Sequence, residues 1–338
     1  MSARLMLSVL MLATLFIACK RESLQPTESI ASFSNSNDAA ILPDTAKIPI
    51  TDLGTNTFLG YVGGLYPGGA NTPSGQYASD LLNYASAIVP LNSLGVSAPD
   101  GKLGFIAVGG STCQKMMSAL KNKTTGNPAT NPALLMVNCT NGGGTASANS
   151  LMNPNDAVWG VIESKLTKGK LTAPQVQVIY LETDDSIQLS GFPDRPLRLK
   201  QEYQETMRQF KTKFTNLKLV YLLGRTTTFK DPKQKKISNA EPNPYYNGWA
   251  CKWLIEDQIN GVPGTAYKGA NAVAPMVTWG WYEWAYGTPQ PRLDGFTWEE
   301  SDTEDGLHGT PAGEDTLSNY FQHFLLTDQT ARKWYGND

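Results

Sequence analysis

Through the middle of the chain, apolar runs of six or seven residues recur, and each breaks at small or polar residues. Residues 103–108 break at Gly109-Gly110-Ser111, and 133–138 run on to Thr140-Asn-Gly-Gly-Gly144. Residues 176–181 break at Glu182-Thr-Asp-Asp185, and 217–223 at Gly224-Arg225. Runs this short and this continuously apolar suit strands buried on both faces. Between them the period changes. Leu199, Tyr203, Met207, Phe210 and Phe214 share one face of a helix over 197–214, and Leu81, Leu82, Tyr84, Ala85 and Ile88 make a stripe over 76–89. Two further helices are expected over 246–260 and 317–327, the second led by Pro311, a residue suited to a first helical position. Strands alternating with helices predict an α/β domain whose parallel sheet is covered on both sides. A site in such a domain forms at the carboxyl ends of the strands, where these breaks fall.

The N-terminal pattern is different. Arg4 precedes an apolar run over 5–18 that is too short for a mature membrane span but suits a signal-peptide core. The run ends in Phe16-Ile17-Ala18-Cys19, which resembles a bacterial lipoprotein signal. That resemblance implies cleavage before Cys19, lipid on its sulfur, and a mature protein anchored to the cell envelope without spanning the membrane. The other reading is a plain secretory signal followed by a chance cysteine. The segment after Cys19, to about residue 45, is rich in Ser, Asn, Thr and Ala and reads as a flexible tether. The expected organisation is thus a signal over 1–18, a tether over 19–45 and one domain over 46–338.

The net charge of −2 becomes −3 when Arg4 leaves with the signal, and this leaves no basic footprint for nucleic acid. The one basic cluster, Lys230-Asp-Pro-Lys-Gln-Lys-Lys236, reads as a solvated loop. Three cysteines remain beyond Cys19, in a compartment that permits disulfides. They are either a Cys113–Cys139 pair with Cys251 left over, or three buried thiols. The glycine-rich stretch 60–69 lacks phosphate-loop spacing and reads as backbone passing close to other backbone.

There are only two histidines, and His is the side chain that titrates near neutral pH. His323 falls in the last expected helix, among apolar neighbours. His308 has Asp305 three residues before it and glycines on either side. Ser111 follows the first strand at a strand-to-helix turn, which points a hydroxyl toward the site edge. A serine hydroxyl needs a base to become a nucleophile. His308 is a base of the right kind, and Asp305 is the carboxylate that would orient its ring.

These blocks resemble those of the SGNH hydrolases, the GDSL-type esterases and lipases. Gly109-Gly110-Ser111 stands where that family has Gly-Asp-Ser. Asn138-Cys-Thr-Asn-Gly-Gly143-Gly-Thr145 stands for its Asn-x-Gly-x-x-Gly-x-Thr, with Thr140 at the first glycine. Glu182-Thr-Asp-Asp185 takes the place of Gly-x-Asn-Asp, and Asp305-x-x-His308 is the last block. The resemblance runs from about residue 102 to 327. It implies a three-layer α/β/α, flavodoxin-like fold and ester hydrolysis through an acyl-serine, with no metal and no cofactor. Ser111 would be the nucleophile, His308 the base and Asp305 its partner. The backbone N–H groups of Ser111 and Gly143, with the third-block side chain at Asp184, would hold the oxyanion. A carboxylate at 184 departs from the family's amide, because an ionised Asp repels an oxyanion.

Trp279, Trp281 and Trp284 allow two readings, rings exposed for stacking on sugars or rings buried as packing. Two functions follow from the whole. One is an envelope-anchored esterase acting on a small-molecule or glycan ester, such as O-acyl groups on carbohydrate. The other is a non-catalytic SGNH-like lipoprotein that binds glycan or another ligand. In both, contact with the membrane is through the N-terminal lipid alone.

Overall fold

The computed structural model describes residues 46–186, 191–230, 240–287 and 289–337. The signal segment, Cys19 and the tether lie outside these, as does most of the basic cluster after Lys230. In chain order the elements are α1 (Ile50–Leu53), β1 (Thr57–Phe58), β2 (Tyr61–Val62), α2 (Gly75–Ser86), β3 (Leu103–Gly109), α3 (Ser111–Thr124), β4 (Leu134–Asn138), α4 (Ala148–Leu151), α5 (Val158–Lys168), β5 (Val176–Glu182), α6 (Asp194–Lys213), β6 (Leu219–Leu222), α7 (Asn243–Ile259), β7 (Met276–Trp279), α8 (Pro311–Thr327) and α9 (Arg332–Tyr335).

The four apolar runs are strands, and every residue of β3, β5 and β6 is buried. They form one parallel sheet in the order β4-β3-β5-β6-β7. Counting sheet strands alone this is 2-1-3-4-5, the flavodoxin-like order, whose switch point lies between the first and third strands. Here those strands are β3 and β5. Helices α3 and α8 pack together on one side, with Phe321 of α8 edge-on to Tyr180 of β5 at 5.3 Å. Helices α6 and α7 pack together on the other, completing three layers. Among the described residues no helix is long and apolar enough to cross a membrane.

Among the elements not expected from the sequence are β7 and α5. β7 is four residues long and opens the Trp-rich stretch. α5 buries Val158, Trp159, Ile162 and Leu166 on one stripe. The glycine-rich stretch does bring backbone against backbone. A Cβ on Gly64 would stand 2.2 Å from the carbonyl carbon of Gly69, and Gly64 donates to the Ile50 carbonyl at 2.8 Å.

Cys113, Cys139 and Cys251 are free and buried, so the pairing entertained for Cys113 and Cys139 is not made. The Cys113 thiol instead faces the Val108 carbonyl of its own strand-to-helix turn at 3.5 Å.

Candidate active site

Ser111 is the first residue of α3, directly beyond β3. The turn depends on Gly109, whose φ is 153° and whose added Cβ would fall 1.9 Å from the Glu182 carbonyl oxygen. No side chain fits there. A Cβ on Gly110 would meet nothing within 4 Å, so the aspartate usual at that position is not excluded by space. Thr112 donates to Glu182 at the end of β5, which ties the first turn of α3 to the neighbouring strand.

His308 reaches this turn from a loop just before α8. Its Nε2 lies 2.7 Å from Ser111 Oγ, and its Nδ1 lies 2.9 Å from Asp305 Oδ2. The other Asp305 oxygen accepts the backbone N–H groups of His308 at 2.8 Å and Leu307 at 3.1 Å. One carboxylate therefore fixes both the ring and the turn that carries it. Burial opposes ionisation of Asp305, but these N–H groups and the imidazole together hold its carboxyl down to about 2. It stays an acceptor, so Nδ1 carries the proton and Nε2 is left to accept from Ser111.

The loop is clamped from two sides. Lys115 of α3 donates to the Gly309 carbonyl at 2.9 Å, and the Gly306 carbonyl accepts from Thr228 Oγ1 at 2.7 Å and the Phe229 N–H at 2.8 Å. Gly306 takes φ 76° where the chain turns under these contacts. Thr310 caps α8 by accepting from the Gly313 N–H at 3.1 Å. The site stays open to solvent, with the His308 side chain 25% exposed. His323 is exposed on α8 and takes no part.

The second-block loop also comes to the serine. The Asn141 N–H donates to the Gly109 carbonyl at 2.9 Å, and a Cβ on Gly142 would lie 3.8 Å from Ser111 Cβ. Gly143 follows at φ 72°.

The third block differs from expectation. The Asp184 carboxylate is engaged as an acceptor. It is buried, with Oδ1 accepting from Arg195 Nη2 at 2.9 Å and from the Asp185 N–H at 2.8 Å. A carboxylate paired with a guanidinium accepts and does not donate. Burial raises its pKa, and Arg195 and Arg225 oppose the rise.

The tryptophans are also corrected, from candidate stacking platforms to packing. Trp279, Trp281 and Trp284 are all buried. Trp279 donates its indole N–H to the Leu65 carbonyl and Trp284 to Glu241, while Trp281 stacks on Tyr320 at 4.8 Å. Trp279 also meets Tyr282, and Trp284 meets Tyr245 of α7, so the large areas of all three rings serve the core.

A group of three carboxyls sits behind the serine turn. Glu182, Glu283 and Glu314 line a cavity of about 10 Å³ with Thr112, Thr226 and Leu307. Glu283 Oε1 and Glu314 Oε2 have no hydrogen-bond partner. The three come from β5, the Trp-rich stretch and α8, so no local pattern announces them. They are not arranged to hold a metal ion. Burial, with Glu182 adding to it, pushes the Glu314 carboxyl up to about 8, and the fully buried Glu283 is pushed well above its usual value. The folded protein therefore keeps protons that the unfolded chain releases above its ordinary glutamate value of 4.5. Stability is expected to fall as pH rises from about 4.5 toward 8. Melting temperatures across that window check it, and Glu314→Gln should flatten the fall. A flat wild-type profile would contradict it.

No family model and no curated protein matches the chain. Among solved structures, it is similar to a salicylyl-acyltransferase from a tetracycline biosynthetic pathway, at 11% identity and a TM-score of 0.35. That match covers 68% of this chain, which spans 56% of the other protein's length. It is also similar to the periplasmic domain of a lipopolysaccharide acetyltransferase from Salmonella ser. Paratyphi A, at 12% identity and a TM-score of 0.35. That match covers 74% of this chain and 98% of the domain. At this TM-score neither likeness bears on function.

Proposed function

We propose that the protein is a divergent SGNH-type serine esterase that cleaves a carboxylic ester through an acyl-serine intermediate. The observation that carries this is the unbroken relay from Ser111 Oγ through both ring nitrogens of His308 to Asp305, at 2.7 and 2.9 Å. In the step this supports, Ser111 Oγ attacks the ester carbonyl carbon and its proton passes to His308 Nε2. The carbonyl electron pair moves onto oxygen. The intermediate collapses, the alcohol leaves with that proton, and water then repeats the sequence on the acyl-serine. The N–H of Ser111 and the second-block backbone around Gly143 are the donors this reading assigns to the oxyanion. Turnover of 4-nitrophenyl acetate by the wild type against Ser111→Ala tests it, and a rate indifferent to Ser111 sinks it.

The reading includes an envelope address, with lipid at Cys19 and an O-acylated carbohydrate as the substrate class. Cys19→Ala is expected to abolish incorporation of labelled palmitate into the protein. Label incorporated equally by wild type and Cys19→Ala, or by neither, would remove the anchor. A second reading, a ligand-binding protein that no longer catalyses, draws on one observation: Asp184 occupies the place of the amide donor and is locked to Arg195.

A further inference from the structure

The locked Asp184 raises the question of what else at the strand ends can donate to an oxyanion. Arg225, three residues beyond β6, is 8% exposed. Its nearest charged partner is Asp184 Oδ2, 4.0 Å from Nη1, which is beyond hydrogen-bond length. None of its N–H groups has a hydrogen-bond partner among the described residues. A guanidinium carries five donors, and no Arg225 nitrogen is among the buried atoms left without a partner, so these donors keep contact with solvent at the strand ends. The fold thus maintains a nearly buried cation whose donors are unused by the protein.

Register places this cation on the same sheet edge as the nucleophile. Gly109 of β3 pairs with Glu182 of β5, and Leu181 of β5 pairs with Leu222 of β6. Asp184 and Arg225 thus leave the neighbouring ends of β5 and β6, two and three residues beyond the strands, on the carboxyl edge where β3 hands over to Ser111. The residues after Arg225 are held against the histidine loop, since Thr228 and Phe229 both donate to the Gly306 carbonyl. The arginine is therefore anchored between the third block and the turn that carries His308.

We propose that Arg225 supplies the third oxyanion contact, a charged donor in place of the amide that Asp184 lacks. This rests on the esterase reading above. As Ser111 Oγ adds to the carbonyl carbon, the electron pair moving onto oxygen is met by an Arg225 N–H beside the backbone donors. No proton is transferred to or from the guanidinium, and the pair returns when the alcohol leaves. Asp184 then has an indirect part, holding Arg225 at 4.0 Å without consuming its donors.

The rival account is that Arg225 only balances the buried charge of Asp184, which it faces. The experiment separates the two. Turnover of 4-nitrophenyl acetate is measured for wild type, Arg225→Lys, Arg225→Gln, Asp184→Asn and the Asp184→Asn/Arg225→Gln double variant, with melting temperature for each. A contact made only in the transition state lowers kcat and kcat/KM together and leaves KM alone. Arg225→Gln is expected to lose about 100- to 1000-fold in kcat with KM unchanged. Arg225→Lys keeps the charge beside Asp184 and guards against a folding artefact. It is expected to melt near the wild type and still lose at least about tenfold, because it lacks the planar fork. In the double variant, Asp184→Asn is expected to restore melting temperature but not rate. Rate restored there, or Arg225→Gln within about threefold of a Ser111-dependent wild type, overturns the proposal alone. A wild type without Ser111-dependent turnover overturns the esterase reading and this proposal with it.

Discussion

Ser111→Ala is expected to lower turnover of 4-nitrophenyl acetate by about four to six orders of magnitude while leaving the fold intact. The substitution removes one oxygen from a half-buried residue at the start of α3 and disturbs no backbone bond. Thr112 still ties α3 to Glu182, and Lys115 still holds the histidine loop. Any loss is thus a loss of chemistry, and the melting temperature should stay within a degree or two. The size follows from the unit nature of the relay. Without Oγ the base has nothing to deprotonate, and only the background from bound donors remains. Asp305→Asn should cost about 10⁴-fold for a different reason. Its carbonyl can still accept the N–H groups of Leu307 and His308 and keep the turn. Its amide, however, donates to Nδ1, which forces the proton onto Nε2 and leaves no base toward Ser111. The binding-only reading predicts no Ser111-dependent turnover to lose, so the kinetics of these two variants decide between the readings.

The parts of the site that are legible in the sequence are those made by short stretches of chain. Asp305 and His308 meet because the two residues between them form one turn, which Asp305 itself closes by accepting two backbone N–H groups. Gly109 is legible because its position admits no Cβ. The sheet is legible because its central strands are buried throughout and therefore apolar throughout. What was hidden depends on long-range pairing. Asp184 reads as an impaired donor until Arg195, at the start of α6, is seen to claim its carboxylate. Arg225 looks like a loop arginine until the register of β5 and β6 sets it beside the third block. The Glu182, Glu283 and Glu314 group is drawn from three separate elements. The tryptophans were ambiguous because a ring's composition does not say which side of the sheet edge covers it. β7 is not legible because its four residues follow a proline and include Thr278, too short and too mixed to make a run.

Arg195→Met is expected to destabilise the protein by about 3–5 kcal/mol, the usual cost of stranding one partner of a buried pair. The Arg195 and Asp184 side chains are 2% and 5% exposed, so water cannot replace the lost contact. The remaining cation, Arg225, stands 4.0 Å off and makes no hydrogen bond to Asp184. In a domain of this size a loss of that order lowers the melting temperature by roughly 10 °C. Asp184→Asn in the Arg195→Met background removes the stranded charge and keeps the side chain's shape. Most of the loss should return, with a coupling of about 1–3 kcal/mol in the double-mutant cycle. The outcome also bears on the site, because Asp184 Oδ2 stands 4.0 Å from Arg225 Nη1. If the pair only fills space, Arg195→Met melts within about a degree of the wild type and the cycle shows no coupling. If it sets the strand end, stability returns in the double variant while the esterase rate tracks how well Arg225 keeps its place.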